Sequence, residues 1–238
     1  MIRFYSPDIK RNGILPPEES VHCVKVLRHR VDDVIEVTDG AGCIYICRIV
    51  EADPRQVKVK ILSAKQIPNP WEGRLIIAVA PPKNNERLEW ASEKLTEIGV
   101  DEIVPIVCQR SERKVLKSDR LQKVIVSATK QSLKTQCPVV HELEDINKML
   151  KHYASTDQKF IAYCDDITGK ALLAREIRPG KDTVIVIGPE GDFTPREVES
   201  ALALGYKPVS LGECRLRTET AAIVAATTFH VTQEIESK

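Results

Sequence analysis

The sequence predicts an α/β fold in which a small, β-rich N-terminal domain precedes a larger domain with a parallel sheet. Three observations predict it. Short β-rich runs occupy residues 34–65, buried apolar runs alternate with helical segments from residue 75 onwards, and prolines at 68 and 70 separate the two patterns. We therefore expect one domain over residues 1–67 and a second over residues 71–238.

The composition is that of a globular protein without a strong overall charge. The chain has 238 residues, 42% of them hydrophobic, which suffices for one large core or two smaller ones. Its formal net charge is +1, so a nucleic-acid partner would have to be held by local basic patches. The N-terminus lacks the apolar run of a signal peptide, and no stretch approaches the roughly 20 apolar residues of a membrane span, so we expect a cytoplasmic protein. The seven cysteines follow no zinc-binding spacing, and we expect no metal.

Three strands are expected in the first domain. Residues 34–37, 44–50 and 57–62 are rich in β-branched side chains, and Asp39-Gly40 and Asp53-Pro54 are turn signals between them. In the third run apolar residues alternate with lysines, which predicts one packed and one solvated face. Short strands joined by tight turns predict a small barrel.

The second domain repeats β-α units. Its first strand is apolar on both faces, as parallel strands are, and the first helix has apolar residues at helical spacing before Gly99, a suitable C-terminal cap. The expected elements are, in order, a strand at 75–80, a helix at 85–98, a strand at 103–107, helices at 119–132 and 145–152, and strands at 160–164 and 184–187.

A Gly-Pro-Glu-Gly turn, residues 188–191, follows the strand at 184–187. Thr194 is a natural N-cap for the next helix, Pro195 suits its first position, and Glu197 completes a capping box. Taken alone, such a turn could serve only to reverse the chain. However, the carboxyl ends of parallel strands are where open α/β sheets bind ligands, and a carboxylate at a buried strand end, here Glu190, costs free energy unless it is paired or used. We therefore expect a ligand site.

A second strand-turn-helix motif spans residues 208–222. It contains Leu211-Gly212 and a helix start at which Thr218 or Thr220 can act as the cap and Glu219 complements the helix dipole. The small residues that follow allow another helix or another subunit to approach closely. The chain has no dinucleotide-binding G-x-G-x-x-G, no phosphate-binding P-loop and no hydrolase nucleophile elbow, which disfavours those enzyme classes.

These two motifs resemble the SPOUT methyltransferases and, within them, the RsmE family, which methylates N3 of a uridine in 16S ribosomal RNA. The likeness includes the turn at 188–191, Leu211-Gly212 and the segment 216–221, and it extends to His22, residues 26–28, 94–99, 111–113 and 131–132. It therefore covers nearly the whole chain.

The resemblance implies a fold, a methyl donor and partners. The fold is an N-terminal PUA-like β-barrel that binds RNA and a C-terminal SPOUT domain with a parallel sheet and a deep trefoil knot. The partners are 16S ribosomal RNA of the small subunit and a second copy of the chain, which forms a homodimer with composite active sites. The donor is S-adenosylmethionine, which the resemblance assigns to Gly188, Pro189, Glu190, Gly191, Leu211, Gly212, Leu216, Thr218, Thr220 and Ala221.

Two residues are candidates for catalysis. Uracil N3 carries a proton that must leave, which calls for a base or for a cation that stabilises the deprotonated ring. We expect Arg217 to be that cation and Glu219 to be an orienting group or the proton acceptor. RNA phosphates would be met by basic side chains of both domains, for which the candidates are Lys25, Arg28, Arg30, Lys83, Arg110 and Arg113.

The sequence departs from the family in two places. The family usually has Glu, Gln, Ser, Gly and Arg where this chain has Lys130, Gln131, Ser132, Leu133 and Lys134, and it has a glycine where this chain has Asp192.

Three alternative functions remain at this point. They are methylation of another RNA, a noncatalytic RNA-binding assembly factor, and an α/β enzyme for a small nucleotide.

Overall fold

The computed structural model describes residues 2–116, 118–163 and 170–236. The chain divides into two units. Met1–Pro70 and Val126–Cys137 form the first, and Trp71–Ile125 and Pro138–Lys238 form the second. Residues 126–137 lie within the range that the sequence assigns to the second domain, yet they pack with the first unit.

The first unit is built on a four-stranded sheet. The strands β1 (Arg3–Tyr5), β2 (Val34–Thr38), β3 (Cys43–Asp53) and β4 (Gln56–Gln66) lie in that order. β1 pairs parallel to β2, and the other neighbours are antiparallel. The helices α1 (Ile9–Asn12) and α2 (Pro17–Val21) and a π-helical turn (His22–Val26) connect β1 to β2. The core of this unit contains Phe4, Ile9, Leu15, Val37, Cys47, Ile49 and Val57.

The second unit contains a parallel sheet with helices. In the described part of the chain its strands are β5 (Leu75–Val79), β6 (Glu102–Val107), β7 (Val139–Val140), β8 (Glu144–Asp145), β9 (Gln158–Ala162), β10 (Ala171–Leu172), β11 (Thr183–Ile187) and β12 (Lys207–Ser210). The order is β10-β12-β9-β11-β5-β6-β7, and β8 also pairs with β6. The helices are α3 (Asn85–Ile98), α4 (Ser118–Gln131), whose last residues belong to the first unit, α5 (Ile146–His152), α6 (Leu173–Glu176), α7 (Pro195–Ala203) and α8 (Thr218–Glu236).

The sheet places two strand ends side by side in its centre. β11 pairs along its full length with β5 on one side and with β9 on the other, and all five residues of β11 are buried. Its carboxyl end therefore lies next to the carboxyl end of β9, and the loops that follow the two strands meet at one edge of the sheet. The loop after β9 leads into residues outside the described part, which include Cys164, the last residue of the strand expected there.

Pro105 is tolerated inside β6 because of the pairing around it. On one side of β6, the short strands β7 and β8 pair with residues 102–103 and 106–107. The N–H that proline lacks falls between these two pairings, so no ladder hydrogen bond is lost. Gly99 follows α3 as expected, but with φ of 120° and ψ of 102° it is not in the left-handed helical conformation.

Candidate functional site

A cleft opens at the carboxyl ends of β9 and β11. We call it the strand-end cleft. It has a volume of about 540 Å³ and is lined by residues 162, 163, 187–192, 215–218 and 221. The Gly-Pro-Glu-Gly turn after β11 and the segment that leads into α8 therefore face the same space.

The turn after β11 is shaped by local contacts. The Asp192 N–H donates to the Pro189 carbonyl oxygen at 2.9 Å, which closes the turn, and Asp192 has a φ of 59°, in the left-handed region that favours glycine. A Cβ on Gly188 would lie 3.0 Å from the Phe193 ring. Packing against Phe193 therefore explains this glycine without any ligand.

The predicted capping box of α7 is present. The Thr194 side chain accepts from the Glu197 N–H, and the Glu197 carboxylate accepts from the Thr194 N–H at 2.7 Å. The same carboxylate accepts from the Gln109 N–H at 2.7 Å. Glu197 thus links the start of α7 to the loop after β6.

Glu190 is exposed, so the expectation that its carboxylate lies at a buried strand end is wrong. The turn carries the side chain past the end of β11 and out to solvent. There the carboxylate accepts from the Lys83 N–H at 3.1 Å, and the Arg113 guanidinium donates to the Lys83 carbonyl oxygen at 2.6 Å. The loop after β5 therefore holds the turn through Lys83.

Arg110 holds the same turn from the loop after β6. Its Nη1 donates to the carbonyl oxygens of Gly191, at 3.0 Å, and Phe193, at 3.2 Å. A Cβ on Gly191 would lie 3.1 Å from the Arg110 Cβ. Of the second-domain residues expected to meet RNA, Arg110 thus contacts the turn and Arg113 contacts the backbone of Lys83, while the Lys83 ammonium pairs with Glu112 at 3.0 Å on the surface.

α8 begins at the cleft. Thr218 is its first residue, and the buried Thr218 hydroxyl donates to the Gly188 carbonyl oxygen at 3.0 Å. This bond ties the helix start to the turn after β11. Leu216 and Ala221, two further residues that the resemblance assigns to the donor, also line the cleft.

The two candidate catalytic residues lie in different surroundings. Arg217 is exposed and lines the strand-end cleft. Glu219 is not among the lining residues. Its side chain is 7% exposed, and its Oε1 lies 3.7 Å from Nε of Arg87 on α3.

Several other predicted site residues lie outside this lining. Leu211 and Thr220 are half-buried, and Gly212 is exposed with a φ of 125°, a conformation that favours glycine. Lys25, Arg28 and Arg30 are exposed on the first unit, and Arg28 has a φ of 60°. Sequence reasoning missed Ala162 and Tyr163 at the end of β9, and Arg215. The expected strand at 160–164, placed beside the one at 184–187, could have indicated the first two.

The strand-end cleft fits a small ligand with an apolar ring and polar edges. Its volume is within the range of about 300–1,000 Å³ that is usual for ligand sites. Ile187, Pro189, Leu216 and Ala221 supply apolar surface, and the turn supplies main-chain groups. S-adenosylmethionine combines an adenine ring with charged ends, so the lining suits it.

Among the described residues, no group of three or more His, Cys, Asp or Glu side chains lies close enough together to hold a metal ion. None of the described helices combines the length and the apolar character that a membrane span requires.

Both parts of the chain match known protein families. Residues 69–230 match the RNA methyltransferase domain family, and residues 15–62 match the RNA methyltransferase PUA domain family. Ribosomal RNA small subunit methyltransferase E of Rickettsia conorii is 29% identical over 219 residues, which are 89% of this chain and 86% of that protein.

Solved structures give the same result. A probable rRNA-methyltransferase from Porphyromonas gingivalis is 42% identical with a TM-score of 0.93, and the match covers 99% of this chain and 100% of that one. Ribosomal RNA small subunit methyltransferase E from Neisseria gonorrhoeae, whose crystal structure is described as bound to S-adenosyl methionine, is 28% identical with a TM-score of 0.84, and the match covers 97% of each chain.

Proposed function

This chain belongs to the RNA methyltransferase family, and from that premise we propose that it transfers a methyl group from S-adenosylmethionine to N3 of a uridine in 16S ribosomal RNA. The observation that carries the proposal is the strand-end cleft, in a chain that resembles small subunit methyltransferases along nearly all of its length. The partner would be the small ribosomal subunit, and the enzyme would act in the cytoplasm.

The strand-end cleft is the proposed donor site. When bound there, S-adenosylmethionine would supply a methyl group on a positively charged sulfur. The Gly188–Gly191 turn, Leu216, Thr218 and Ala221 would hold it, and the hydrogen bond from Thr218 to Gly188 keeps the two sides of the cleft together. Leu211, Gly212 and Thr220 do not line the cleft. They would act by fixing the conformation of the segment that leads into α8 and of the first turn of that helix.

Arg217 is the proposed catalytic residue. It is a permanent cation on the cleft lining, and it is exposed and therefore open to a base that enters from solvent. A guanidinium near the uracil ring favours transfer of the N3 proton to solvent water at the open side of the cleft, because it stabilises the negative charge left on the ring and its carbonyl oxygens. The Gly188–Gly191 turn and the segment before α8 would align the methyl donor with the base and exclude water from the transferred methyl group.

Glu219 has an orienting role in this proposal. Its carboxylate is buried against Arg87, in the first turn of α8, and does not line the cleft. A carboxylate in the first turn of α8 complements the helix dipole and stabilises the start of the helix. Arg217 directly precedes this start, so its position depends on it. It acts through the backbone and does not accept the N3 proton.

The exposed cations at Lys25, Arg28 and Arg30 on the first unit are proposed RNA contacts, as is Lys83 on the second. The match of residues 15–62 to a PUA domain of RNA methyltransferases supports this role for the first unit. Arg110 uses Nη1 to hold the turn and Arg113 uses Nη2 to hold the Lys83 backbone, so their proposed RNA contacts would come from the remaining guanidinium nitrogens.

A homodimer is also part of the proposal. A groove of about 380 Å³ follows one face of α8 beside α6 and is lined mainly by Val224, Thr227, Val231 and Ile235. Val231 is 48% exposed and Ile235 is 69% exposed, and exposed apolar side chains on one helix face favour burial against a partner. Sedimentation should give twice the chain mass, and Val231→Asp should shift it towards the single-chain mass.

The decisive experiment incubates the purified protein with isotope-labelled S-adenosylmethionine and small subunits that lack the modification, and then maps the label. We expect it on N3 of one uridine in 16S RNA. Label on transfer RNA only would contradict the proposed substrate, and donor binding without transfer to any RNA would favour the noncatalytic assembly factor. Binding of ATP in place of the donor would favour the nucleotide enzyme.

A further inference from the structure

A second cleft lies at the same edge of the parallel sheet, between α5 and α7 and at the end of β6. We call it the basic cleft. It has a volume of about 770 Å³, and its lining is Val107, Cys108, Gln109, Lys114, Asp145, Asn147, Lys151, Thr194, Arg196, Glu197, Ser200 and Leu204. None of these residues is among the candidates for donor or RNA binding.

Three exposed cations stand around the basic cleft. Lys114 comes from the loop after β6, Lys151 from α5 and Arg196 from α7. In the described part of the chain, none of the three forms an ion pair or a side-chain hydrogen bond. Over the described ranges, the lining therefore has three unpaired cations against two carboxylates, Asp145 and Glu197, and this excess of positive charge would attract an anionic ligand.

The acidic groups of this lining are occupied by the protein itself. The buried Glu197 carboxylate accepts from two backbone N–H groups and from the Thr194 hydroxyl. The Asp145 carboxylate caps α5 by accepting from the N–H groups of Asn147 and Lys148. Two exposed amide side chains, Gln109 and Asn147, complete the rim and can hydrogen-bond to phosphate, ribose or base.

The basic cleft adjoins the strand-end cleft along the chain. Asp192 lines the strand-end cleft and Thr194 lines the basic one, so two residues, or at most about 7 Å of backbone, separate the two linings. The intervening segment is held in place, because Arg110 donates to the Gly191 and Phe193 carbonyl oxygens. A strand whose base entered the strand-end cleft can therefore continue into the basic cleft.

We propose that the basic cleft binds the phosphodiester backbone of single-stranded ribosomal RNA next to the target nucleotide, with Lys114, Lys151 and Arg196 as the phosphate contacts. This inference rests on the proposed function and adds to it a second, non-catalytic RNA site. Such a site fixes the position of the strand and carries no information about the base sequence, since the contacts are to phosphates.

The test compares the double variant Lys151→Ala/Arg196→Ala with a matched control, Arg178→Ala/Lys181→Ala. The control removes one lysine and one arginine from a cleft at the opposite, amino edge of the sheet. For each full-length protein, five quantities are measured. They are the affinity for unmodified small subunits between 50 and 200 mM salt, roughly the range over which phosphate contacts weaken binding, the KM and the kcat for those subunits, the affinity for S-adenosylmethionine, and the melting temperature.

We expect the double variant to bind subunits roughly 10-fold more weakly or worse, and its log–log salt slope to fall by about 1.4, since each phosphate contact to a single strand contributes about 0.7. KM should rise, while donor affinity and melting temperature stay at the wild-type values. Arg196→Glu alone should weaken subunit binding further, and the control should behave as wild type.

Two results would overturn the inference if the wild-type protein methylates the subunits. The first is an unchanged salt slope and KM in the double variant. The second is a loss of donor affinity as large as the loss of subunit affinity, which would mean that the two residues act through the Gly188–Gly191 turn. Failure of the proposed function is distinguishable, because the wild-type protein itself would then not methylate the subunits.

Discussion

Arg217 is the residue whose loss should affect the reaction most. Removal of one preorganised donor or cation from a reaction centre costs about 10²–10³ in rate. We expect Arg217→Ala to lower the single-turnover rate on small subunits by roughly 100-fold or more, with little change in the affinity for S-adenosylmethionine. Because the cation favours deprotonation of N3, its loss should also move the rise of rate to higher pH.

Arg217→Lys is the informative companion variant. It keeps the charge but lacks the planar fork, so it should recover part of the rate and part of the pH shift. Undiminished methylation by Arg217→Ala would remove this residue from the catalytic role.

Glu219 separates an orienting role from a role as proton acceptor. Since its buried carboxylate faces Arg87, Glu219→Gln leaves a guanidinium without its anion and should lower the free energy of unfolding by about 1 kcal/mol. The pH at which the rate rises should stay the same. Chemical denaturation and the pH–rate profile measure the two effects, and Arg87→Gln in a double-mutant cycle should show coupling between the pair. If the pH dependence disappeared with Glu219, proton acceptance by this carboxylate would replace the orienting role.

The end of α4 shows how one element tolerates an unfavourable residue. The Lys134 N–H donates to the Thr129 carbonyl oxygen at 3.0 Å and the Leu133 N–H to the Lys130 carbonyl oxygen at 3.2 Å, which is the Schellman pattern of hydrogen bonds. Leu133 occupies the position in this motif that favours glycine, with a φ of 55°. The resembled family has a glycine at this point, so this departure costs conformational energy.

Leu133→Gly should therefore stabilise the protein. A left-handed conformation costs a residue with a Cβ about 1–2 kcal/mol, and the extra flexibility of glycine in the unfolded chain offsets about half of that gain. Leu133 is 49% exposed, so little packing is lost. We expect a gain of about 0.5–1 kcal/mol in the free energy of unfolding, measured by chemical denaturation. Leu133→Ala is the control, since it removes the same side chain without freeing the backbone, and equal gains from both variants would contradict the explanation.

Elements with strong local signals could be predicted from the sequence. The bounds of α3 agree with the structure at both ends, and Thr194, Pro195 and Glu197 form the expected start of α7. These features depend on periodicity and on hydrogen bonds between residues close in the chain. The two-residue strands β7, β8 and β10 could not be predicted, since two residues carry no periodicity and their pairing depends on β6 and β12.

At the scale of the whole molecule, the fold class predicted from the sequence is confirmed, and the distant contacts are what sequence reasoning missed. The two glycine-containing turns could be placed at strand ends. That Glu190 would point to solvent could not be predicted from local sequence, and the contact of Arg110 with the turn joins residues 81 and 83 positions apart in the chain. The packing of residues 126–137 with the first unit is of the same kind, because no local pattern in that segment indicates its partner.

The ion pair between Lys130 and Glu19 accounts for another departure from the family, which usually has a glutamate at this position. The two side chains are 21% and 9% exposed, and the pair joins the segment 126–137 to α2 within the first unit. Lys130→Glu would place two carboxylates together and leave Glu19 buried without a cation. We expect a loss of about 3 kcal/mol in the free energy of unfolding, measured by denaturant titration. The reversed pair, Glu19→Lys/Lys130→Glu, should restore most of this loss, since the attraction between opposite charges is symmetric while the surrounding geometry is not. If Lys130→Glu unfolded at the wild-type denaturant concentration, the pair would contribute nothing, and this segment would be held by its other hydrogen bonds, which include those from the Arg3 and Thr38 side chains to its carbonyl oxygens and its backbone bonds to Gly40 and Gly42.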